Sequence, residues 1–551
     1  MKKAALHNLG CKVNAYEMEA MQQMLEKAGY KIVPFAPGAD VYVINTCTVT
    51  NIADRKSRQM LHRAKKMNEN AVVVAVGCYA QVRGEELSVD PDVDIVIGSS
   101  RKSDLVKEIR LWENAHDNAA GAAVKHQATP DQVPVQMTQD SAQAETASRR
   151  QDSAQAETVS RGQDDALTDI GSWKQDTAYE KLEIDRTEEH TRAFIKVQDG
   201  CNQFCSYCII PYARGRIRSR DPEDVVEEIT RLAATGVKEV VITGIHLCSY
   251  GADLNAGLNG DHGSRKDHDS SIDGDCGNRA EYADSQMNRD RFSTGENNGN
   301  SGCDDREDSS QHYNKAVTSG YPARNSMALL RLLQKVHEID GIERIRLGSL
   351  EPGYMSEAFI QGLAELPKVC PHFHLSLQSG CAKTLRAMNR KYTPEDFSET
   401  AALFRKYYEH PALCTDIITG FPGETDEDFE ECRAFVESIH FFETHIFPYS
   451  RRAGTRAAAM PDQNTEAVRR KRGEVLRQLD QERRKEFLRW YLGKPVEVLF
   501  EEQTEVNGRL YWTGHGREYQ KVLLMDSRDL SNQIVTVTAA QIVGDDYILG
   551  Y

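Results

Sequence analysis

The chain has 551 residues and a formal net charge of -16 at pH 7. This length exceeds what one hydrophobic core supports, so we expect two to four domains. The acidic balance excludes a protein that coats nucleic acid with its whole surface, although local basic surfaces remain compatible with it. No apolar run approaches the roughly 18 residues of a membrane span, and the N-terminus lacks a signal peptide, which predicts a cytoplasmic protein with no membrane partner.

The first 112 residues alternate apolar runs with amphipathic segments. The runs AALHNL, VYVIN, AVVVAV and DIVIG have the length and composition of strands, and helical patterns separate the first three. This alternation predicts an N-terminal α/β domain at 1–112, built on a parallel sheet.

Residues 113–185 are a polar, low-complexity stretch. They contain a tandem duplication at 139–162, in which QDSAQAETASRR is followed by QDSAQAETVSRG. These repeats are too short and polar to bury a core, so we expect a disordered insertion or linker.

A second α/β domain is predicted for residues 186–460. Strand-like runs recur there as AFIKVQDG, VKEVVITG, ERIRLGSLEP, FHLSLQSG, TDIITGFPGE and HIFPYS. A Gly, Asn, Asp and Ser-rich tract at 254–325, which includes Cys276 and Cys303, interrupts the alternation. Since it shows almost no apolar clustering, we predict a disordered insertion there.

The C-terminal part changes character twice. Residues 461–492 contain AVRRKRGEVLRQLDQERRKEFLRW, which predicts a basic helix linking two domains. From 493–551 the short runs EVLF, RLYWTGHG, YQKVLLM, IVTVTAAQIV and YILG predict a small all-β barrel. The fold class is therefore α/β and multidomain, with two disordered insertions.

Thirteen cysteines in a cytoplasmic chain indicate metal ligands and buried thiols rather than disulfides. Cys201, Cys205 and Cys208 form a CxxxCxxC run directly after a predicted strand. Three thiolates at this spacing suit a cubane iron–sulfur cluster with one iron left open to a chelating small molecule. A structural zinc site is the alternative, but zinc favours four closed ligands and paired CxxC knuckles.

A second cysteine set is dispersed in sequence. Cys11, Cys47 and Cys78 each follow a predicted strand of the N-terminal domain. If those strands are parallel, their carboxyl ends meet at one sheet edge, and the three thiols converge there. Three independently buried cysteines are the alternative reading. The placement of the thiols just beyond the apolar runs favours a second three-cysteine cluster.

Basic residues are concentrated in two segments. Arg214, Arg216, Arg218 and Arg220 alternate after the CxxxCxxC run, and on an extended segment they would form a phosphate track. Salt bridges to the acidic DPEDVVEE that follows are an equally weighted alternative. The basic helix adds two further candidates for RNA binding, and these are Arg470 and Arg472.

Several segments together resemble the radical S-adenosylmethionine methylthiotransferase family. They are NLGCKVNAYE, NTCTVTNIADRKSRQ, GCYAQ, QDGCNQFCSYCIIPYARGRIRSR, TGIHLCSYG, RIRLGSLEP, FHLSLQSGC, MNRKYT and GFPGET. The resemblance covers roughly 1–110, 188–254 and 325–551. Among the branches of the family, these segments are most similar to the transfer RNA N6-threonylcarbamoyladenosine C2-methylthiotransferases.

The resemblance implies two [4Fe–4S] clusters and S-adenosylmethionine as cofactors. Cys201, Cys205 and Cys208 would ligate the cluster that cleaves the cofactor, and Cys11, Cys47 and Cys78 would ligate the cluster that carries sulfur. It further implies a partial (β/α) barrel whose strand ends face S-adenosylmethionine, and a C-terminal TRAM domain that binds RNA. Candidate cofactor-binding residues are Tyr207, Gly244, Ser349, Glu351, Gln378 and Asp416.

The activity implied is methylthiolation of C2 of N6-threonylcarbamoyladenosine at position 37, in the anticodon loop of transfer RNA. The chemistry would occur at the clusters, without an acid or base residue, and an electron donor such as flavodoxin or ferredoxin would be a partner. Two alternatives keep the chemistry and change the substrate to isopentenyladenosine or a ribosomal-protein aspartate. A third alternative is a zinc-dependent RNA-binding protein without catalysis.

Overall fold

The computed structural model describes residues 1–125, 166–171, 178–187, 191–254 and 326–551, with side chains from 117 to 125 left out. The sequence duplication, Cys276 and Cys303 lie outside the described residues. Every helix among these residues is too short or too polar to cross a lipid bilayer.

The N-terminal domain is a six-stranded parallel sheet in the order β2-β1-β3-β4-β5-β6. The strands are β1 Lys3–Asn8, β2 Lys31–Ile32, β3 Val41–Thr46, β4 Val72–Gly77, β5 Ile95–Ile97 and β6 Leu167–Asp169. The helices are α1 Lys12–Lys27, α2 Asn51–Met67, α3 Cys78–Val82, α4 Gly84–Ser88 and α5 Leu105–Lys125. All residues of β3 and β4 are buried because helices cover both faces of the sheet, as in other parallel sheets.

The polar stretch 113–185 contributes more than a linker. Its residues 167–169 form β6, which extends the sheet beside β5, and α5 continues beyond residue 112. The Tyr16 hydroxyl donates a hydrogen bond to the Leu182 carbonyl, and the Gln23 side-chain oxygen accepts one from the Asp185 backbone amide at 2.7 Å. The prediction of a disordered linker over this whole range is therefore wrong at its C-terminal end. There, short apolar segments of the chain form an edge strand and pack against α1.

The second domain is a partial barrel. Strands β7 Arg192–Asp199, β8 Arg218–Ser219, β9 Glu239–Gly244 and β10 Arg344–Leu347 form one sheet in the order β10-β9-β7-β8. Strands β11 His372–His374, β12 Ala412–Thr419 and β13 Glu443–Pro448 form a parallel continuation. Parallel bridges between Ile345 and Val369 and between Leu350 and Leu375 join the two parts.

Helices alternate with the strands of this curved sheet, as expected for βα repeats. They are α6 Ile210–Arg214, α7 Pro222–Ala234, α8 Ser326–His337, α9 Glu357–Ala364, α10 Ala382–Ala387, α11 Pro394–Tyr407, α12 Asp426–Ile439 and α13 Arg456–Ala459. Capping boxes begin α11 at Thr393 and α12 at Thr425, which explains why these helices start where they do. The predicted partial (β/α) barrel is confirmed.

A closed five-stranded barrel ends the chain, after the long helix α14 Glu466–Arg489. Its strands are β14 Pro495–Val506, β15 Arg509–Gly516, β16 Lys521–Leu524, β17 Ile534–Val543 and β18 Tyr547–Gly550. They close in the order β14-β15-β16-β18-β17 around a core that contains Trp512 and Val522. The predicted small all-β barrel is confirmed.

Buried charges join the N-terminal domain to the partial barrel. Glu17 of α1 accepts hydrogen bonds from Arg214 at 2.9 Å and from Lys196 of β7 at 2.8 Å, and Lys102 lies 3.4 Å away. Asp199, at the end of β7, pairs with Lys196 at 2.7 Å. None of these side chains is more than 2% exposed, so the interface depends on close charge matching.

We expect Glu17→Gln to lower the free energy of unfolding by about 3–5 kcal/mol, since it leaves the Arg214 and Lys196 charges buried without their shared carboxylate. Urea unfolding is the measurement. The matched control is Glu86→Gln, which removes an exposed pair with Arg83 and should cost at most about 1 kcal/mol. Equal losses in the two variants would contradict a stabilising role for the buried network.

Candidate functional site

The CxxxCxxC run forms a tight loop directly after β7. Gly200 has a φ of +72°, and a Cβ there would lie 1.8 Å from the Arg216 carbonyl oxygen, so only glycine fits. The Cys201 amide donates a hydrogen bond to the Gly215 carbonyl at 3.0 Å. This close return of the chain fixes the start of the loop that carries the three thiols.

All three thiols of this loop line one cavity of about 150 Å³. The loop contributes Cys201, Cys205 and Cys208, and the carboxyl ends of the barrel strands contribute the opposite wall. The polar and aromatic groups around it include Gln203, Tyr207, His246, Ser349, Glu351, Ser376 and Arg390. A cavity with three thiols on one side and polar groups on the other has the donors for an iron–sulfur cluster and a polar cofactor.

Of the six residues predicted to bind the cofactor, Tyr207, Ser349 and Glu351 line this cavity. Gly244, Gln378 and Asp416 are not among its lining residues. At Gly244 a Cβ would lie 2.8 Å from the Gln198 side-chain oxygen, so this glycine permits strand packing.

Gln378 and Asp416 have roles of their own in the barrel. The backbone N–H of Gln378 donates to the backbone carbonyl of Asp416 at 2.8 Å, which pairs two neighbouring strand segments. Asp416 directs its carboxylate to His374, with Oδ1 3.2 Å from Nε2. Since Gly244, Gln378 and Asp416 are not among the lining residues of this cavity, cofactor binding by these three residues stays a prediction.

Arg390 is the functional residue that sequence reasoning missed. Its guanidinium donates to the Cys205 sulfur at 3.3 Å and to the Glu351 carboxylate at 2.8 Å, and it lines the cavity. It lies in the MNRKYT segment, whose resemblance to the family was the available signal. A buried cation beside a thiol stabilises the anionic form that binds metal.

Burial dominates the acidity of these thiols. It raises the pKa of Cys201 above its ordinary value, and it raises the pKa of Cys208 to about 12, with the nearby Cys205 adding to the effect. Metal binding therefore releases protons from this loop.

The second set of thiols converges at the carboxyl edge of the N-terminal sheet. Cys11, Cys47 and Cys78 follow β1, β3 and β4, which are neighbours in the sheet. A Cβ at Gly10 would lie 3.2 Å from the Cys47 Cβ, which shows how closely the first two loops approach. Cys47 and Cys78 are buried, whereas Cys11 is exposed.

Electrostatics link these three thiols to one another and to one arginine. The pKa of Cys47 is raised to about 11, mainly by burial, and the thiols of Cys78 and Cys11 act in the same direction. The Arg214 Nε–H donates to the Cys78 sulfur at 3.1 Å and lowers the pKa of that thiol, although burial has the larger, opposite effect. Three close thiols and one cation fit the donor set of a second cluster.

The predicted phosphate track is wrong for three of its four arginines. Arg214, Arg218 and Arg220 are each 1% exposed, so they are inaccessible to RNA. Arg220 pairs with Glu228 of the following acidic segment, in agreement with the alternative of salt bridges. Arg216 is exposed and stacks over the Phe204 ring at 4.8 Å, and its role in RNA binding stays a prediction.

The two candidates in α14 also differ. Arg472 is buried and pairs with Glu424 and Asp426, each at 2.8 Å, so its predicted contact with RNA is wrong. Arg470 is exposed, and its predicted contact with RNA remains untested.

Cys201→Ala, Cys205→Ala and Cys208→Ala should each halve the iron bound after anaerobic reconstitution, because a lost thiolate has no substitute in this loop. Iron analysis and visible absorption are the measurements. Cys370→Ala is the control, since Cys370 is buried outside the cavity. Full iron content in any of the three variants would contradict the assignment of these ligands.

Two protein families match the sequence. Residues 3–98 match the family described as "Uncharacterized protein family UPF0004", and residues 195–250 and 313–436 match the radical SAM superfamily. The two matches contain the two sets of cysteines, one in each.

Curated relatives match over nearly the full length. The Threonylcarbamoyladenosine tRNA methylthiotransferase MtaB of Bacillus subtilis (strain 168) is 32% identical, covering 98% of this chain and 93% of the relative. The protein of the same name from Aquifex aeolicus (strain VF5) is 31% identical, covering 92% and 94%. The tRNA-2-methylthio-N(6)-dimethylallyladenosine synthase of Thermoanaerobacter sp. (strain X514) is 28% identical, covering 99% and 88%. This chain is an enzyme that belongs to the radical S-adenosylmethionine methylthiotransferase family.

Proposed function

We propose that this enzyme methylthiolates C2 of N6-threonylcarbamoyladenosine at position 37 of transfer RNA, with two [4Fe–4S] clusters and two molecules of S-adenosylmethionine. The observation that carries the proposal is the pair of three-thiol sites, one at each domain's strand ends, in a chain of this family. One thiol set lines a cavity, as a cluster that binds a small molecule requires.

When bound, the clusters and S-adenosylmethionine supply a 5′-deoxyadenosyl radical for the C2 hydrogen and a methylated sulfur for transfer. Cys201, Cys205 and Cys208 would hold the radical-generating cluster, and Cys11, Cys47 and Cys78 would hold the sulfur-carrying cluster. Arg390 orients Cys205 through its hydrogen bond and is itself fixed by Glu351. Tyr207 and the residues at the strand ends around the cavity would exclude water and orient the cofactor.

The choice of substrate rests on the relatives. The Bacillus and Aquifex proteins, at 32% and 31% identity, carry the threonylcarbamoyladenosine name, whereas the Thermoanaerobacter dimethylallyladenosine enzyme is 28% identical. A ribosomal-protein substrate has no support among these names. The buried arginines after the cysteine loop cannot contact an anionic substituent, so they offer no argument for either nucleoside.

We assign RNA binding to the C-terminal barrel, in the manner of a TRAM domain, together with the exposed basic positions Arg216, Arg470 and Lys471. An electron donor such as flavodoxin or ferredoxin, in the cytoplasm, would serve the radical site. A non-catalytic zinc protein is inconsistent with membership of this enzyme family.

Transfer RNA from cells that lack this protein should contain N6-threonylcarbamoyladenosine without its 2-methylthio form, because this enzyme is proposed to add the methylthio group. Nucleoside mass spectrometry is the measurement, and expression of the wild-type chain should restore the modified nucleoside. Loss of 2-methylthio-isopentenyladenosine instead would contradict the proposed substrate.

Cys47→Ala should abolish methylthiolation and still cleave S-adenosylmethionine, because the thiols of the radical site are untouched and lie in another domain. The measurement pairs 5′-deoxyadenosine with the 2-methylthio nucleoside in one anaerobic reaction. Cys370→Ala serves as the control and should retain both products. If Cys47→Ala still makes the modified nucleoside, the N-terminal thiols do not form the sulfur site.

A further inference from the structure

A polar group outside the cofactor cavity spans three adjacent parallel strands. His374 of β11 is opposite Cys414 of β12, and Asp416 of β12 is opposite His445 of β13. Because side chains alternate along a strand, Cys414 and Asp416 lie on the same face, so the three side chains share it. Their polar atoms lie within 4.8 Å of one another. We call His374, Asp416 and His445 the polar triad.

The polar triad has hydrogen-bonding capacity that the described residues leave unused. His374 Nε2 lies 3.2 Å from Asp416 Oδ1, whereas His374 Nδ1 is buried and has no hydrogen-bond partner among those residues. The His445 ring stacks on the His374 ring, with 5.6 Å between centroids. A buried polar atom without a partner is unfavourable, so a ligand that supplies a donor or acceptor there is favoured.

The triad adjoins the cavity of the radical site. His374 precedes Ser376 by two residues in extended chain, which is about 6.6 Å along a strand, and Ser376 lines the cavity. Strand β12 is held in register here, since the backbone N–H of Gln378 donates to the backbone carbonyl of Asp416 at 2.8 Å. If C2 of the target adenine reaches the cavity, a substituent on N6 of the same ring is therefore long enough to reach the triad.

We propose that the polar triad is the subsite that binds the N6 substituent of the target adenosine, a urea that carries a hydroxyl and a carboxylate. This inference rests on the proposed function and names the residues that select its substrate. An apolar prenyl substituent in the same space would leave His374 Nδ1 without a partner among the described residues. A site built for hydrogen bonds rejects such an analogue strongly.

A divalent metal is the competing occupant, since two histidines and one carboxylate also form zinc sites. The hydrogen bond between His374 and Asp416, at 3.2 Å, favours binding of the substrate, because it already engages two of the three prospective metal ligands with each other. Zinc content is therefore an outcome of the test.

The test compares anticodon stem-loop RNAs that carry N6-threonylcarbamoyladenosine or N6-isopentenyladenosine. Asp416→Asn and His445→Phe in the two-cluster holoenzyme should lower kcat/KM for the threonylcarbamoyl RNA by about a hundredfold, mainly through KM. The kcat/KM for the isopentenyl RNA should stay unchanged or rise, so the ratio of kcat/KM for the threonylcarbamoyl RNA to that for the isopentenyl RNA falls. His62→Phe and Asp90→Asn remove a comparable pair, 2.9 Å apart on the N-terminal domain, and should preserve the ratio.

Two results would overturn the proposal. Equal losses on both RNAs would show that the triad only supports the fold. One zinc per wild-type chain, lost in both triad variants, would show a metal site. The wild-type enzyme alone tests the proposed function. If that function is wrong, the wild type will modify the isopentenyl RNA and not the threonylcarbamoyl RNA.

Discussion

One buried guanidinium, that of Arg214, determines how the two thiol sites are arranged. Its Nε–H donates to the Cys78 sulfur, and its terminal nitrogens bind Glu17 and Asn14 of α1 and Asp199 at the end of β7. Asp199 stands two residues before the CxxxCxxC loop. Although burial opposes ionisation, Lys196 and Arg214 hold the pKa of Asp199 well below its usual range. Because arginine presents its donors in a rigid fork, this contact sets a geometry that apolar packing alone would leave loose.

The C-terminal barrel is attached by the same physical means. Arg344 donates to the carbonyls of His515 and Glu497, and Arg346 donates to the Gly516 carbonyl while pairing with Glu239. Two neighbouring buried guanidiniums thus reach from β10 to strands β14 and β15 of the small barrel. Backbone carbonyls accept these bonds, and the Glu497 carboxylate accepts a further one from Arg344 at 2.9 Å, so the docking depends on both the course of the chain and a side chain of the barrel.

The sequence was sufficient for features that depend on local periodicity and on topology. Alternating apolar runs identified the strands, and the rule that parallel strands end at one edge brought Cys11, Cys47 and Cys78 together. The alternation of Arg214 to Arg220 misled, because the segment first forms α6 and then turns into β8, so no uniform extended strand exists. The partner of Arg214, Glu17, lies nearly two hundred positions away, and Arg390 meets Cys205 across a similar distance. Contacts of this kind arise from tertiary packing and leave no mark on local sequence.

Each thiol site has one arginine that donates to one sulfur, and each arginine is held by a carboxylate. Arg214 joins Cys78 to Glu17, and Arg390 joins Cys205 to Glu351. Hydrogen bonds to ligand sulfurs tune the reduction potential of iron–sulfur clusters, and a nearby carboxylate offsets part of the added charge. The two sites therefore have separate means of adjustment within one compact unit. Such independence suits the proposed reaction, in which one site would deliver an electron and the other would carry sulfur.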